Sequence, residues 1–327
     1  MKAAYYEAVG PAADVIKISE RLMPQPGPGE VRVRIHASGV NPSDVKGRSG
    51  ARGAIAFPCI IPHSDGAGII DAVGEGVSAT RIGERVWTWN AAWRRPFGTC
   101  AQYVCLPSAQ AVALPAGIDF ETGACLGIPA LTACHATLGD GPLQGKTVLV
   151  TGGAGAVGHC AIQFAKWSGA MVISTVSGAA KAQHARTAGA DHVINYREQD
   201  VVAAVKDLTA GAGVDRIVEV EFGGNLPTSM QVLKVGGVIA AYGSAAAPTP
   251  QLPFYPLMFN HVTLHLMLVY LLTEPQRDRA CRLVNEALRE GKLSSHVGAR
   301  FALADTAQAH VAVESGTVIG NVVITVD

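Results

Sequence analysis

Two rhythms of apolar and polar positions divide the chain. Up to about residue 120, short alternating runs such as VRVRIHASGV at 31–40 and IIDAVGEGV at 69–77 are broken by Gly and Pro. A period of two in short segments predicts half-buried strands, and their close succession predicts a compact all-β unit. After Pro129 the rhythm becomes strand, glycine turn and helix: TVLVTGG at 147–153, a helix through Trp167, then MVISTV at 171–176. The series continues with a helix over 179–188, a strand at DHVINY (191–196), a helix over 198–209, RIVEV (216–220) and GVIAAYG (237–243). Repeating strand and helix units predict an α/β fold with a parallel, doubly wound sheet. The apolar stretch at 262–272 is about half the roughly 20 residues a membrane-spanning helix needs, and reads as a buried strand. Beyond it, RDRACRLVNEALREG (277–291) has apolar positions at helical spacing and ends on Gly291, as a helix C-terminus should. The closing NVVITVD is expected to return to the first unit. No internal repeat, low-complexity tract or charge run interrupts the pattern.

At 327 residues the chain exceeds a comfortable single core, so two domains are expected. Lys plus Arg and Asp plus Glu both total 26. That balance leaves no basic excess for a phosphate backbone and disfavours nucleic acid as the main ligand. The seven cysteines, at 59, 100, 105, 125, 134, 160 and 281, form no CxxC unit and no paired framework; a reducing cytoplasm suits them. MKAAYYEAVG at the start lacks the apolar core of a signal peptide.

The central chemical signal is VLVTGGAGAVGHCAIQFAK, in which Gly153, Gly155 and Gly158 spell GxGxxG between a predicted strand and a predicted helix. The first glycine permits the tight turn, the second lets the backbone approach a pyrophosphate, and the third lets the helix pack on the strand. In that context the motif predicts dinucleotide binding. An NAD site places an acid at the end of the second strand, but here that strand runs into STVSG with no acid before Asp191. The preference tilts to NADPH. Ser177 can donate to a 2'-phosphate, and Lys181 in the first turn of the next helix is a cation that wants a compensating anion. Tyr196 can close the pocket. The competing reading makes Lys181 a solvated helix lysine and Tyr196 a half-buried ring.

These segments, with ASGVNPSD (37–44), HSDGAG (63–68), GIPALTA (127–133), Gln163 and Lys166, GADHVINY (189–196) and VGGVIAAYGS (235–244), resemble the quinone oxidoreductase branch, the zeta-crystallin relatives, of the medium-chain dehydrogenase/reductase superfamily. The resemblance runs the whole length. It implies a GroES-like β-barrel catalytic domain over 1–122, a Rossmann domain binding NADPH over 123–272, and a C-terminal part of the catalytic domain over 273–327. It also implies a homodimer or homotetramer joined through the last strand of the sheet, here 262–269, an apolar edge that would otherwise invite aggregation; core burial within one subunit is the alternative. Ala156 departs from the pattern, which usually has Gly there.

Zinc-dependent relatives hold the metal with Cys, His-Glu and a further Cys, donors that converge at about 2.0 to 2.3 Å. Here Asn41 stands at the first position, Ser64 at that of the His, and no Cys lies around Ile128. His63 is one residue out of register and reads as a turn or pocket histidine. Cys100 and Cys105 alone cannot rebuild a structural zinc lobe. No metal is expected. The resemblance places Asn41 beside nicotinamide and substrate and Thr132 under the ring. It places the backbone of Met267, Leu268 and Val269 with Gly243 and Ser244 at the nicotinamide half, and Ala154, Gly155, Ala156 and Val157 at the pyrophosphate. Asn41 is also good turn chemistry before Pro42. Lys46 stands where many relatives carry a Tyr, and either orients an anionic substrate, protonates an enolate or faces solvent. Trp87, Trp89, Trp93 and Phe97 fall in the region that usually lines the substrate mouth, where Trp89 and Trp93 suit a planar acceptor; Trp87 is equally explained by core packing, and Arg94 and Arg95 by exposure. The expected activity is NADPH-dependent reduction of a quinone, enone or other activated double bond. The alternatives are an alcohol dehydrogenase and a non-enzymatic NADPH-binding structural or RNA-binding protein.

Overall fold

The alternation at 31–40 becomes the strand Glu30–Val40, whose Val31, Val33 and Ile35 are buried while Arg34 faces water. It sits inside a seven-stranded sheet ordered Val297–Ala302, Asn321–Thr325, Glu30–Val40, Asp65–Val73, Arg85–Thr88, Ala111–Ala113, with Tyr103–Pro107 also paired to Glu30–Val40. The closing strand does return as expected, antiparallel to Glu30–Val40 with Val322 opposite Val40. Val33, Ile35, Ile70, Val86, Leu106, Val322 and Ile324 share the core of this unit.

The second rhythm becomes a six-stranded sheet ordered His192–Asn195, Met171–Val176, Thr147–Thr151, Val214–Glu219, Leu233–Ala241, Thr263–Leu266. Every pairing is parallel. The order reverses between Thr147–Thr151 and Val214–Glu219, the topological switch point where ligands bind in such sheets. Central strands of a parallel sheet are covered on both faces and so read as unbroken apolar runs; Met171–Val176 matches the expected 171–176, with all but its first residue buried. The helices fall at Ala156–Trp167, Ala179–Thr187 and Val201–Leu208, close to the sequence expectation.

The structure, a computed structural model, describes residues 1–326. Its chain divides into Met1–Ile128 with the segment from Ser295 onward, and Pro129–Ser294. The second division therefore falls at 294/295, not 272/273. The helix Glu274–Arg289 belongs to the nucleotide-binding unit because its apolar stripe, Ala280, Val284, Ala287 and Leu288, is buried there. Arg279 Nη1 donates to the Gly139 carbonyl at 2.9 Å, and Gln163 bonds both N and O of Ser294 at 2.9 Å.

The stretch at 262–272 is also not a buried strand. Only Thr263–Leu266 is strand, and it forms the outer edge of the sheet with Leu266 68 % exposed. It has a single neighbour, Leu233–Ala241, and the chain then turns into a 3-10 helix at Val269–Leu271, which ends the ladder. Among the described residues no helix is long and apolar enough to cross a membrane.

Candidate functional site

Because all six strands of the second unit run parallel, whatever follows a strand's last residue lies along one edge of the sheet. Gly152 to Gly158 follow Thr151, Ser177 follows Val176, Tyr196 follows Asn195, Gly243 and Ser244 follow Ala241 closely, and Met267 follows Leu266. The fold thus gathers the cofactor candidates that were scattered over more than a hundred positions.

Within the glycine turn the three motif positions differ. A methyl on Gly153 would fall 2.0 Å from Ser174 Oγ, and one on Gly158 would fall 2.3 Å from the Gly152 carbonyl oxygen, so packing demands glycine at both. At Gly155 the nearest atom to such a methyl is 3.5 Å away, and its φ of −78° suits any residue. Nothing in the chain requires glycine there, which leaves room for a ligand to approach. Gly155 is the N-cap of the 12-residue helix Ala156–Trp167, with no side-chain cap and no acid in the first turn, so the first amides keep their affinity for an anion. Ala156 is the first helical residue, a position without positive φ, and its methyl is accommodated. Thr151 is tied down by its Oγ1, which donates to Glu219 Oε1 at 2.8 Å and accepts from the Val220 amide at 3.0 Å.

At the far end of the turn, Ser177 is half-buried and Lys181 occupies the first turn of Ala179–Thr187, as the sequence predicts. The Tyr196 amide donates to the Val176 carbonyl at 3.1 Å, which brings Tyr196 beside Ser177; its ring is 51 % exposed. Gly243 is sterically required, since a methyl would meet the Val220 carbonyl oxygen at 2.4 Å. The Ser244 hydroxyl is already engaged, donating to the Ala247 carbonyl at 2.6 Å and accepting from the Gly223 amide at 2.9 Å, so Ser244 has its backbone to offer. The Met267 amide is spent on the Ala241 carbonyl at 2.9 Å, Leu268 is partly exposed, and Val269 is buried at the start of the 3-10 turn. Thr132 is buried in the helix Leu131–Leu138, directly after a π-helical segment at Leu126–Ala130.

Sequence reasoning missed Glu219. Its carboxylate, buried at the switch point, accepts from Thr151 Oγ1, the Glu221 amide at 2.6 Å and Asn225 Nδ2 at 2.9 Å. Burial raises its pKa above the ordinary glutamate value against the pull of these donors. The available signal was an acid interrupting the run RIVEV.

In the first unit Asn41 is 5 % exposed and caps the helix Pro42–Ser49. Its amide donates to Asp44 Oδ2 at 2.8 Å, and its side-chain Nδ2 donates to Asp65 Oδ2 at 2.8 Å. Asp65, also missed in the sequence, is fully buried; Oδ2 accepts in addition from the Ile128 amide at 2.9 Å, while Oδ1 has no hydrogen-bond partner among the described residues. Burial pushes its pKa well above the usual carboxylate range. Lys46 is exposed in the last turn of the Asn41-capped helix, where a cation complements the dipole. Trp87 is core, on Arg85–Thr88. Trp89 is buried, Trp93 is half-buried with the Arg94 guanidinium 5.4 Å from its ring centroid, and Phe97 is exposed. The Ala91 amide donates to the Ser64 carbonyl at 3.1 Å, so the tryptophan loop is anchored next to Asp65. Arg95 is not simply exposed: it donates to Gln110 Oε1 at 2.9 Å.

At the positions where zinc-dependent relatives carry ligands, the side chains and backbone already make other contacts. Asn41 spends its side-chain nitrogen on Asp65, and Ile128 contributes an amide proton, not a lone pair, to the same carboxyl. Among the described residues no three His, Cys, Asp or Glu converge to hold a metal. His63 is an interior histidine with φ 78°: Nδ1 lies 2.9 Å from Ser38 Oγ and Nε2 lies 2.9 Å from His310 Nε2.

Comparison with known proteins agrees with this layout. Residues 27–116 match the alcohol dehydrogenase GroES-like domain, and residues 156–285 match the zinc-binding dehydrogenase family. The chain is 30 % identical to a 2-haloacrylate reductase of a Burkholderia species over 99 % of this chain and 98 % of the relative. It is 30 % identical to a quinone oxidoreductase of Pseudomonas aeruginosa over 95 % of each. The crystal structure of Escherichia coli quinone oxidoreductase complexed with NADPH superposes with a TM-score of 0.87 at 26 % identity, covering 99 % of this chain and 100 % of that one. The chain belongs to the quinone oxidoreductase branch of the medium-chain dehydrogenase/reductase superfamily.

Proposed function

We propose that this chain is an NADPH-dependent oxidoreductase that reduces a quinone, an enone or another activated double bond without a metal ion. The observation that carries this reading is the opening at Gly155, a helix start left bare where packing asks for nothing. The relatives named above support the cofactor and the acceptor class. Bound NADPH supplies two electrons as a hydride. The chain binds and orients: Gly153 to Gly158 grip the diphosphate through backbone amides, and Ser177, Lys181 and Tyr196 recognise the 2'-phosphate. Thr132, the backbone of Gly243 and Ser244, and Met267 to Val269 hold the nicotinamide half. Asn41 donates a side-chain N–H to the acceptor's carbonyl oxygen, and Trp89 and Trp93 flank the planar acceptor. Seven free cysteines suit a reducing compartment such as the cytoplasm, and the exposed edge strand suits a homodimer or homotetramer.

Calorimetry with NADPH and NADH, on the parent and on Lys181→Ala, tests the cofactor assignment. The parent is expected to prefer NADPH, with the substitution erasing at least about ten-fold of that preference, or ~1.4 kcal/mol; equal parent affinities contradict it. A turnover panel of 1,2- and 1,4-quinones, enones and 2-haloacrylate tests the acceptor class, and silence across it favours a binding role. About one zinc per purified chain, with activity lost on chelation, overturns the metal-free reading.

A further inference from the structure

We propose that Asp65 is a positioning residue whose carboxyl turns the Asn41 side chain so that an N–H, and not the amide oxygen, is presented to the electron acceptor. The proposal rests on the function argued above and assigns the hydrogen-bonding role within it.

An asparagine amide presents nearly the same shape after a flip that exchanges its oxygen and nitrogen, so shape alone does not decide which atom faces outward. Here the partner decides. Asp65 Oδ2 accepts from the Ile128 amide at 2.9 Å and from Asn41 Nδ2 at 2.8 Å, and as a carboxylate, which has no proton to give, it favours the amide orientation that puts nitrogen toward it. The Asn41 backbone is fixed independently, its amide donating to Asp44 Oδ2 and its carbonyl accepting from the Asp44 amide at 3.0 Å. With one Nδ2 proton on Asp65, the second, which also lies within reach of the buried Asp44 carboxyl, is the one assigned to the acceptor.

The cost of this arrangement supports the assignment. Asp65 is fully buried, and its Oδ1 lies against Gly127 without a hydrogen-bond partner among the described residues; a methyl on Gly127 would be 2.3 Å from it. Burying a carboxyl with an unpartnered oxygen is unfavourable, and an apolar residue of the same shape would avoid the penalty. Retaining the acid is explained if the orientation of Asn41 is what it secures. The chemistry asks for such a donor. As a hydride reaches the β-carbon of an enone, the C=C π electrons form the new C=C bond of an enolate and the negative charge moves onto the carbonyl oxygen. A proton from water then completes the saturated ketone at the α-carbon. An N–H held against that oxygen is stronger in the transition state than in the ground state.

The test is a double-substitution cycle on enone reduction, with the NADPH dissociation constant followed in parallel. Asn41→Ser keeps a helix-capping hydroxyl and removes the amide; Asp65→Leu keeps the shape and removes the acceptor; Asp65→Asn keeps an acceptor oxygen. Asn41→Ser and Asp65→Leu are each expected to lower kcat about ten-fold with NADPH affinity within two-fold of the parent, while Asp65→Asn recovers most of the loss. The double variant should be no slower than Asn41→Ser alone. Full kcat in Asp65→Leu, or losses that multiply in the double variant, would overturn the proposal. A parent that binds no NADPH or reduces no enone refutes the function instead. In that case, or if Asp65→Leu does not fold, the Asn41 side-chain NH₂ resonances of the parent decide, identified by their loss in Asn41→Ser. One proton exchanging slowly with solvent and one quickly is the expected result; two rapidly exchanging protons sink the assignment.

Discussion

Three glycines that look alike in GGAGAVG obey different physics. Gly153 and Gly158 are held by contact with Ser174 Oγ and with the Gly152 carbonyl, whereas Gly155 faces open space. Gly153→Ala and Gly158→Ala are therefore expected to lower unfolding free energy by about 2 to 4 kcal/mol, the scale of forcing atoms into a packed interior. Gly155→Val should leave the melting temperature nearly unchanged and weaken NADPH binding at least ten-fold. Differential scanning calorimetry beside binding calorimetry checks both, and a strongly destabilised Gly155→Val would show that the opening serves the fold. The spacing of the glycines was legible in the sequence, as was Lys181 in its helix's first turn. The engagement of Ser244 with Ala247 and Gly223, and of Asn41 with Asp65, was not. Those bonds join positions whose distance depends on how loops close, which no local pattern records.

At the scale of elements, strands and helices of the nucleotide-binding unit follow from periodicity because a covered strand must be apolar throughout and a helix must bury one stripe. Periodicity failed at 262–272, where an apolar run meant the edge of the sheet and not its interior. Thr263–Leu266 leaves Leu266 largely exposed, and the neighbouring helix Phe254–Phe259 exposes Phe254, Tyr255 and Phe259. An edge so apolar is a pairing surface. Leu266→Lys together with Phe259→Glu is expected to shift the protein to monomers in sedimentation velocity, with NADPH binding retained. A parent that already sediments as a monomer contradicts the oligomer proposed from this edge.

Across the whole molecule, the contact between His63 and His310 joins positions 247 residues apart and helps bind the C-terminal segment to the first unit. Burial lowers the pKa of both rings below 6.5, that of His310 to about 3, with His310 disfavouring charge on His63 and the buried Arg48 disfavouring charge on His310. The unfolded chain takes up protons near pH 6.5 that the folded chain refuses. Their contribution is complete above that value and is lost as pH falls from about 6.5 toward 3, by up to ~1.4 kcal/mol per pH unit for each proton. Asp65 acts with the opposite sign, since its raised pKa favours the folded state at low pH. Urea unfolding at pH 7, 6, 5 and 4 on the parent and on His310→Phe isolates the histidine contribution; identical slopes in the two would refute it.

The sequence by itself determined the order of strands and helices, the glycine turn with its bare helix start, and the missing acid that points to a 2'-phosphate. All of these are carried by neighbours a few residues apart, where covalent geometry and periodicity act directly. Only the tertiary structure decided where the edge strand at 263–266 stops, which tryptophan became core, and which buried acid meets Asn41. An apolar or polar residue announces that it will be covered or solvated, but the identity of its partner is set by register and packing between segments distant in the chain.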